Sequence, residues 1–409
     1  MDDVLARLDA ALAADDADRA ARYPGPPSGR QPLHTVYIPA DLVTPSVVGE
    51  WGAAALTALD EHGPLPGALV AETDRVVTKL QREPIEDLRV DLEDGYGLRS
   101  DADEDEHAVT AAEAVAAMIA AGTAPPFVGA RVKSLEPSTR ARSMRSLELF
   151  LRGVGASGAL PPGFRITLPK VTSVAQVSAF VDASAAVASS LGLPPPPFEI
   201  QVETPQAILG ADGRALVAPM LHAAAGRCVG LHYGTYDYSA SLGVGAPYQA
   251  MDHAVADHAT SVMQLAAAGT GVPVSHGSTN VLPTGSTQAV RAAWGLHARL
   301  VRRALERGIY QGWDLHPAQL PTRYAATIAF YRESADTVAT RLAAYLGKAA
   351  SGLLDEPATA AAMAGFLCRA LDAGAVTADD VVVATGVPVV DLLVLARRSQ
   401  PADSSLTAD

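Results

Sequence analysis

Residues 198–209 read FEIQVETPQAIL. With a period of two, Phe198, Ile200 and Val202 share one face of a short strand, while Glu199, Gln201 and Glu203 share the other. A strand that ends on a carboxylate offers chemistry as well as packing. Four other stretches carry charge in similar settings: VDLEDGYG with Asp91, Glu93 and Asp94, ARVKS with Arg131, LPKV with Lys170, and GLHYGTYDYSASLG with Asp237. Several carboxylates at one place repel; two of them 4 Å apart cost about 4 kcal/mol at an effective dielectric of 20. A divalent cation reverses that sign, and hard oxygen ligands favour Mg²⁺ or Mn²⁺ over zinc. Glu203 and Asp237 suffice as protein ligands for Mg²⁺, which keeps positions for water and substrate.

These residues belong together only if the fold brings them together. Strand-like segments recur at 35–40, 88–94, 127–133, 165–170, 198–203, 228–234, 272–276 and 310–316, with Ala- and Leu-rich helical stretches between many of them. Eight βα units predict an α/β fold with a closed (β/α)₈ TIM barrel; an open doubly wound sheet is the rival. Alternation then places Arg89, Asp91, Glu93, Arg131, Gln201 and Glu203 inward, and puts Glu93, Asp94, Arg131, Lys170 and Glu203 at carboxyl ends of strands, where barrel active sites sit. Lys170 shares parity with the apolar Ile166 and Leu168, which leaves its direction open. Each residue also has a plainer reading. Glu203 suits a helix N-cap or a partner for an internal arginine, Asp237 a turn, Arg131 a counter-charge, and His316 a satisfied core histidine. The DADEDEH run at 101–107 reads as a solvated loop or helix start.

The expected organisation is an N-terminal helical segment and linker (1–32), a barrel (33–322), a helical C-terminal extension (323–398) and a tail (399–409). The net charge of −14 over 409 residues argues against nucleic-acid binding. Two distant cysteines, Cys228 and Cys368, exclude a disulfide framework and suit a reducing cytoplasm. With no apolar run of about 18 residues and no signal-peptide pattern, a soluble, cytoplasmic protein without membrane partners is expected. No GxGxxG or GxxxxGK[ST] motif supports nucleotide binding, and the ten histidines show no HExxH spacing.

Seven stretches in order, VYIPAD, VDLEDGYG, ARVKS, LPKV, QVETPQAIL, GLHYGTYDYSASLG and GWDLHPAQL, resemble the landmarks of the citrate lyase β-subunit-like family. That family stands with HpcH/HpaI aldolases and malyl-CoA lyases among barrels of the phosphoenolpyruvate/pyruvate type. The resemblance implies a Mg²⁺-dependent lyase or aldolase that makes or breaks a carbon–carbon bond beside a carbonyl, acting on a small oxo or hydroxy acid, free or as a CoA thioester. It implies Glu203 and Asp237 as metal ligands, Arg131 as the grip on the substrate carboxylate or carbonyl, and Asp91, Glu93 and Asp94 as holders of water near the metal. Lys170 and His316 match the lysine of LPK and the histidine of HPxQ. Gly234 and Thr235, just before Asp237, are further candidate substrate contacts. A homo-oligomer, trimer or hexamer, is implied as well.

The chain departs from the family at Ala40, Lys133 and Trp313-Asp314, changes that bear on coenzyme A contacts. It also resembles malate synthase locally, in the glycine-rich aspartate motif followed by C-terminal helices. That similarity implies a glyoxylate condensation and a catalytic aspartate among Asp355, Asp372, Asp379 and Asp380. Candidates for the base are a water held by Asp91 or Glu93, His232, or such an aspartate. A barrel that only binds is the reading from outside enzymology.

Overall fold

The alternating strands and helices close into a barrel. The computed structural model describes residues 1–27, 29–347 and 356–397. Its strands are His34–Pro39 (β1), Asp87–Asp91 (β2), Phe127–Arg131 (β3), Phe164–Leu168 (β4), Phe198–Val202 (β5), Cys228–Tyr233 (β6), Val274–Ser275 (β7) and Gly312–Asp314 (β8). They pair in parallel in the order β7-β6-β5-β4-β3-β2-β1-β8. A bridge between Ser275 and Gln311, with the His276 N–H on the Gln311 carbonyl at 2.8 Å, joins the last two edges. All eight expected strands are present, and the fold is the (β/α)₈ barrel rather than the open sheet.

Helix Asp2–Arg22 (α1) precedes the barrel and buries no residue. Val47–His62 (α2) and Thr73–Arg82 (α3) follow β1; Asp101–Ala121 (α4), Arg140–Val154 (α5) and Val174–Ser190 (α6) follow β2, β3 and β4. The short Pro205–Ile208 (α7) and Val217–Ala223 (α8) follow β5. Thr235–Ser241 (α9) and Ala254–Ala267 (α10) follow β6, and Thr287–Glu306 (α11) follows β7. After β8 come Leu320–Leu346 (α12), Pro357–Asp372 (α13), Ala378–Thr385 (α14) and Val389–Arg397 (α15). None of the helices in the described residues is long and apolar enough to cross a membrane.

Alternation divides the strand side chains as the sequence predicts. Val36, Ile38, Leu88, Val90, Val128, Ala130, Ile166, Leu168, Ile200 and Val202 are buried in the layer between sheet and helices. Their polar neighbours turn into the lumen. On the helix layer the DADEDEH run opens α4, capped by Ser100, and is solvated at Asp101, Asp103 and Glu106 as expected, but Glu104 is buried. It pairs with Lys133 at 2.8 Å and accepts from Ser146 Oγ at 2.6 Å, so it ties α4 to the end of β3 and to α5.

Candidate functional site

The carboxyl ends of β2 to β6 bring together an acidic cluster around one ammonium group. Lys170 Nζ lies 2.5 Å from Glu93 Oε1, 2.6 Å from Asp94 Oδ2 and 3.4 Å from Asp237 Oδ2. Its own backbone N–H donates to Glu203 Oε1 at 2.7 Å, and Gln201 Nε2 donates to Glu203 Oε2 at 2.6 Å. Lys170 adopts φ 51°, a left-handed conformation that costs a residue other than glycine energy and that collects at functional sites. That backbone reversal just beyond β4 resets the strand's parity, which is why Lys170 reaches the rim despite Ile166 and Leu168 pointing away.

Asp91 and Arg131 face each other in register across β2 and β3. The pair is bidentate, Nε to Oδ1 at 2.7 Å and Nη2 to Oδ2 at 2.6 Å. Asp91 also accepts the backbone N–H groups of Glu93 and Gly95 at 3.0 and 2.8 Å. Its oxygens are therefore occupied in holding the arginine and the acidic loop. Arg131 Nη1 sits 3.5 Å from Glu93 Oε2, and its guanidinium lies over the Tyr37 ring. Glu203 needs Gly234 as its neighbour: a Cβ at that position would collide with the Glu203 side chain. The hydroxyl of Thr235, the first residue of α9, is buried without a hydrogen-bond partner, as is Gln201 Oε1.

The charges do not balance. Arg131 is tied to Asp91 and shared with Glu93, which leaves Lys170 as the close cation for Asp94 and Asp237 and the second one for Glu93. Burial pushes the Glu203 carboxyl up to about 8, against the pull of Lys170. Burial likewise raises Glu93 and Asp237. For Asp94, burial is outweighed only by the hydrogen bond and charge of Lys170 together with Arg131 and Glu93, which lower it. The Lys170 ammonium, although burial opposes it, is held above the ordinary lysine range by Glu203 and Glu93. This donor set, carboxylate oxygens in excess of nearby positive charge, fits a hard divalent cation. Among the described residues no three His, Cys, Asp or Glu side chains stand as a group that could hold a metal ion, so the protein would offer an ion two ligands, Glu203 and Asp237.

Beneath the rim lies a second charged layer, in which the sequence turns Arg89 inward and puts Glu199 on the polar face of its strand without giving either a partner. Arg89 reaches both Glu199 oxygens at 3.0 Å, Asp87 at 2.8 Å and the Thr167 hydroxyl at 3.0 Å. Arg165 and His232 also reach Glu199, at 3.2 and 3.3 Å. Trp313 Nε1 donates to His232 Nδ1 at 3.0 Å, which fixes the ring proton on Nε2, toward Glu199. Both nitrogens of His232 are thus occupied, and the ring is a strut rather than a free base. The signal available in the sequence was the same alternation: Tyr37, Arg89, Arg165, Thr167 and Glu199 all sit at lumen parity.

Other candidates are engaged elsewhere. His316 Nδ1 accepts from the Ala318 N–H at 3.2 Å and caps the turn Pro317–Gln319. Asp372, at the end of α13, lines a cavity of about 720 Å³ with Arg30, Lys79 and Glu83, residues that precede β1 and β2 and so lie at the opposite end of the barrel. Asp380 caps α14 with Thr377, and Asp379 stands beside it. Asp355 falls outside the described residues.

A family model described as a domain of unknown function, DUF6986, matches residues 12–400. The chain belongs to this family. No curated protein matches the DUF6986 chain in sequence. Among solved structures it is similar to CitE from Mycobacterium tuberculosis in complex with magnesium, acetoacetate and coenzyme A, at 20% identity and a TM-score of 0.50, over 85% of this chain and 98% of that one. It is also similar to Haloferax volcanii malate synthase in its magnesium/glyoxylate complex, at 14% identity and a TM-score of 0.49, over 72% and 75% of the two chains. The likeness to CitE establishes a shared fold, the one expected from the landmark motifs.

Proposed function

We propose that this protein is a divalent-metal-dependent carbon–carbon lyase that cleaves or forms a small hydroxy or oxo acid, free or as a coenzyme A thioester. The observation that supports it is the convergence of Glu93, Asp94, Glu203 and Asp237, from three different strand ends, at the rim beside Arg131. Glu203 and Asp237 would hold Mg²⁺, or Mn²⁺ in its place. Such an ion, when bound, polarises a carbonyl and offsets the charge of an enolate.

The chain's own residues supply the rest. Arg131, oriented by Asp91, turns its remaining donors toward a substrate carboxylate, with the planar geometry that lysine lacks. Glu93, whose carboxyl burial raises, would take a proton from a substrate hydroxyl in cleavage and return it in condensation. Asp94, accepting from Lys170, keeps that neighbourhood polar. The unpartnered Thr235 hydroxyl is a donor for a substrate oxygen, and Gly234 leaves the space that Glu203 occupies.

The test is a Mn²⁺ titration with a cleavage assay on a panel of hydroxy acids and hydroxyacyl-CoA thioesters. E203A and D237A are expected to lose ion binding and turnover while keeping the wild-type circular dichroism. Normal turnover in both variants would remove the reading.

A further inference from the structure

We propose that Lys170 is a built-in competitor for the metal: its ammonium group occupies the electrostatic position of the divalent cation, and ion binding requires it to withdraw. This rests on the proposed metal site and concerns how that site is filled. The geometry carries it. One Nζ touches Glu93 and Asp94 at hydrogen-bond distance and stands 3.4 Å from Asp237, a proposed ligand. The other proposed ligand, Glu203, is fastened to the backbone N–H of the same residue. A divalent ion held by Glu203 and Asp237 would lie close to that ammonium, and like charges at such range weaken each other's binding strongly in a partly buried site.

The side chain has a way out. It is 24% exposed, and the left-handed backbone at Lys170 anchors its root at the rim rather than in the core. The carbonyl side of the residue need not move for the ammonium to swing toward solvent. In the metal-free protein the lysine then keeps a cluster of like charges together, so the site is assembled before the ion arrives. The same contact makes ion affinity weaker than the four carboxylates alone would give.

Two measurements test this. Calorimetric titration with Mn²⁺ compares wild type, K170R and K170N; asparagine tolerates the left-handed backbone and removes the charge. K170N is expected to bind on the order of tenfold tighter or more, with K170R near wild type. Binding to K170N but not to wild type also supports the proposal. Equal or weaker binding by K170N overturns it while leaving the metal site standing; no binding by any of the three removes both. The second measurement needs no variant: reductive methylation of Lys170 in the native protein, read by peptide mass spectrometry, is expected to speed up at saturating Mn²⁺. An unchanged or slower rate overturns the proposal.

Discussion

At the scale of single residues, the candidate site gives most of its carboxylate oxygens defined partners. Asp91 is 1% exposed and carries two guanidinium and two backbone hydrogen bonds. Removing the arginine leaves that carboxylate buried with only its amide donors. R131M is therefore expected to lose about 3 kcal/mol of stability, near the low end for breaking a buried pair, in urea unfolding. A loss under about 1 kcal/mol would show that the pair is not the clamp described. Gly234 offers a different lever. Its backbone is extended, so alanine is sterically acceptable to the chain, but the new methyl meets Glu203. G234A is expected to cost about 1–3 kcal/mol through crowding and to weaken Mn²⁺ binding tenfold or more; unchanged binding would separate Gly234 from the ion site. Glu203, Asp91 and Arg131 were legible from period-two alternation alone. Lys170 was not, because its reach depends on a backbone reversal that side-chain parity cannot express. Nor was the occupied state of His232, which depends on Trp313 from a strand far away in sequence.

At the scale of elements, the strands place the side chains of the candidate site, and their register sets which residues stand opposite one another. Asp91 opposes Arg131 across β2 and β3, Thr167 opposes Glu199 across β4 and β5, and Gln201 opposes His232 across β5 and β6. All eight strands could be read because parallel strands, here buried on both faces, stand out as short segments bounded by turn residues. The acidic start of α4 is solvated at Asp101, Asp103 and Glu106, but composition alone does not reveal that Lys133 and Ser146 arrive opposite Glu104. The short β7 carries a testable consequence just past its end. His276 is 1% exposed, and burial, with the charges of Arg303 and Arg307, pushes its imidazole down to about 4. The folded-state value lies below the ordinary 6.5, so protonation favours the unfolded chain. This contribution is whole above pH 6.5 and drains as pH falls toward 4, on the order of 3 kcal/mol in full. H276Q is expected to flatten the fall in unfolding free energy over that window relative to wild type. Parallel curves for the two proteins would exclude His276 as the source.

At the scale of the molecule, α12 links two cores. Its first half, through Tyr324, Ile328 and Tyr331, belongs to the barrel's apolar layer. Its second half, through Ala339 and Leu342, packs with Met363, Leu367, Val381 and Leu392 of α13, α14 and α15 in a separate cluster. A change from strand-rich to helical sequence made the extension visible, but the continuity of α12 was not, because one helix serving two cores has no break to read. The C-terminal helices are expected to form a cap with its own cooperative opening, distinct from that of the barrel. Leu367 is 1% exposed within that second cluster. L367A is expected to lose about 2–5 kcal/mol locally, as buried leucine truncations do. If the cap opens by itself, native-state hydrogen exchange in L367A will accelerate across α13 to α15 while amides of β2 to β6 keep their wild-type protection. Uniform acceleration through the strands as well would mean that cap and barrel unfold as one unit, and the proposed division would fall. Retained Mn²⁺ affinity in the same variant is the companion expectation, because the proposed ligands lie just past β5 and in the first turn of α9, and none on the helices beyond α12.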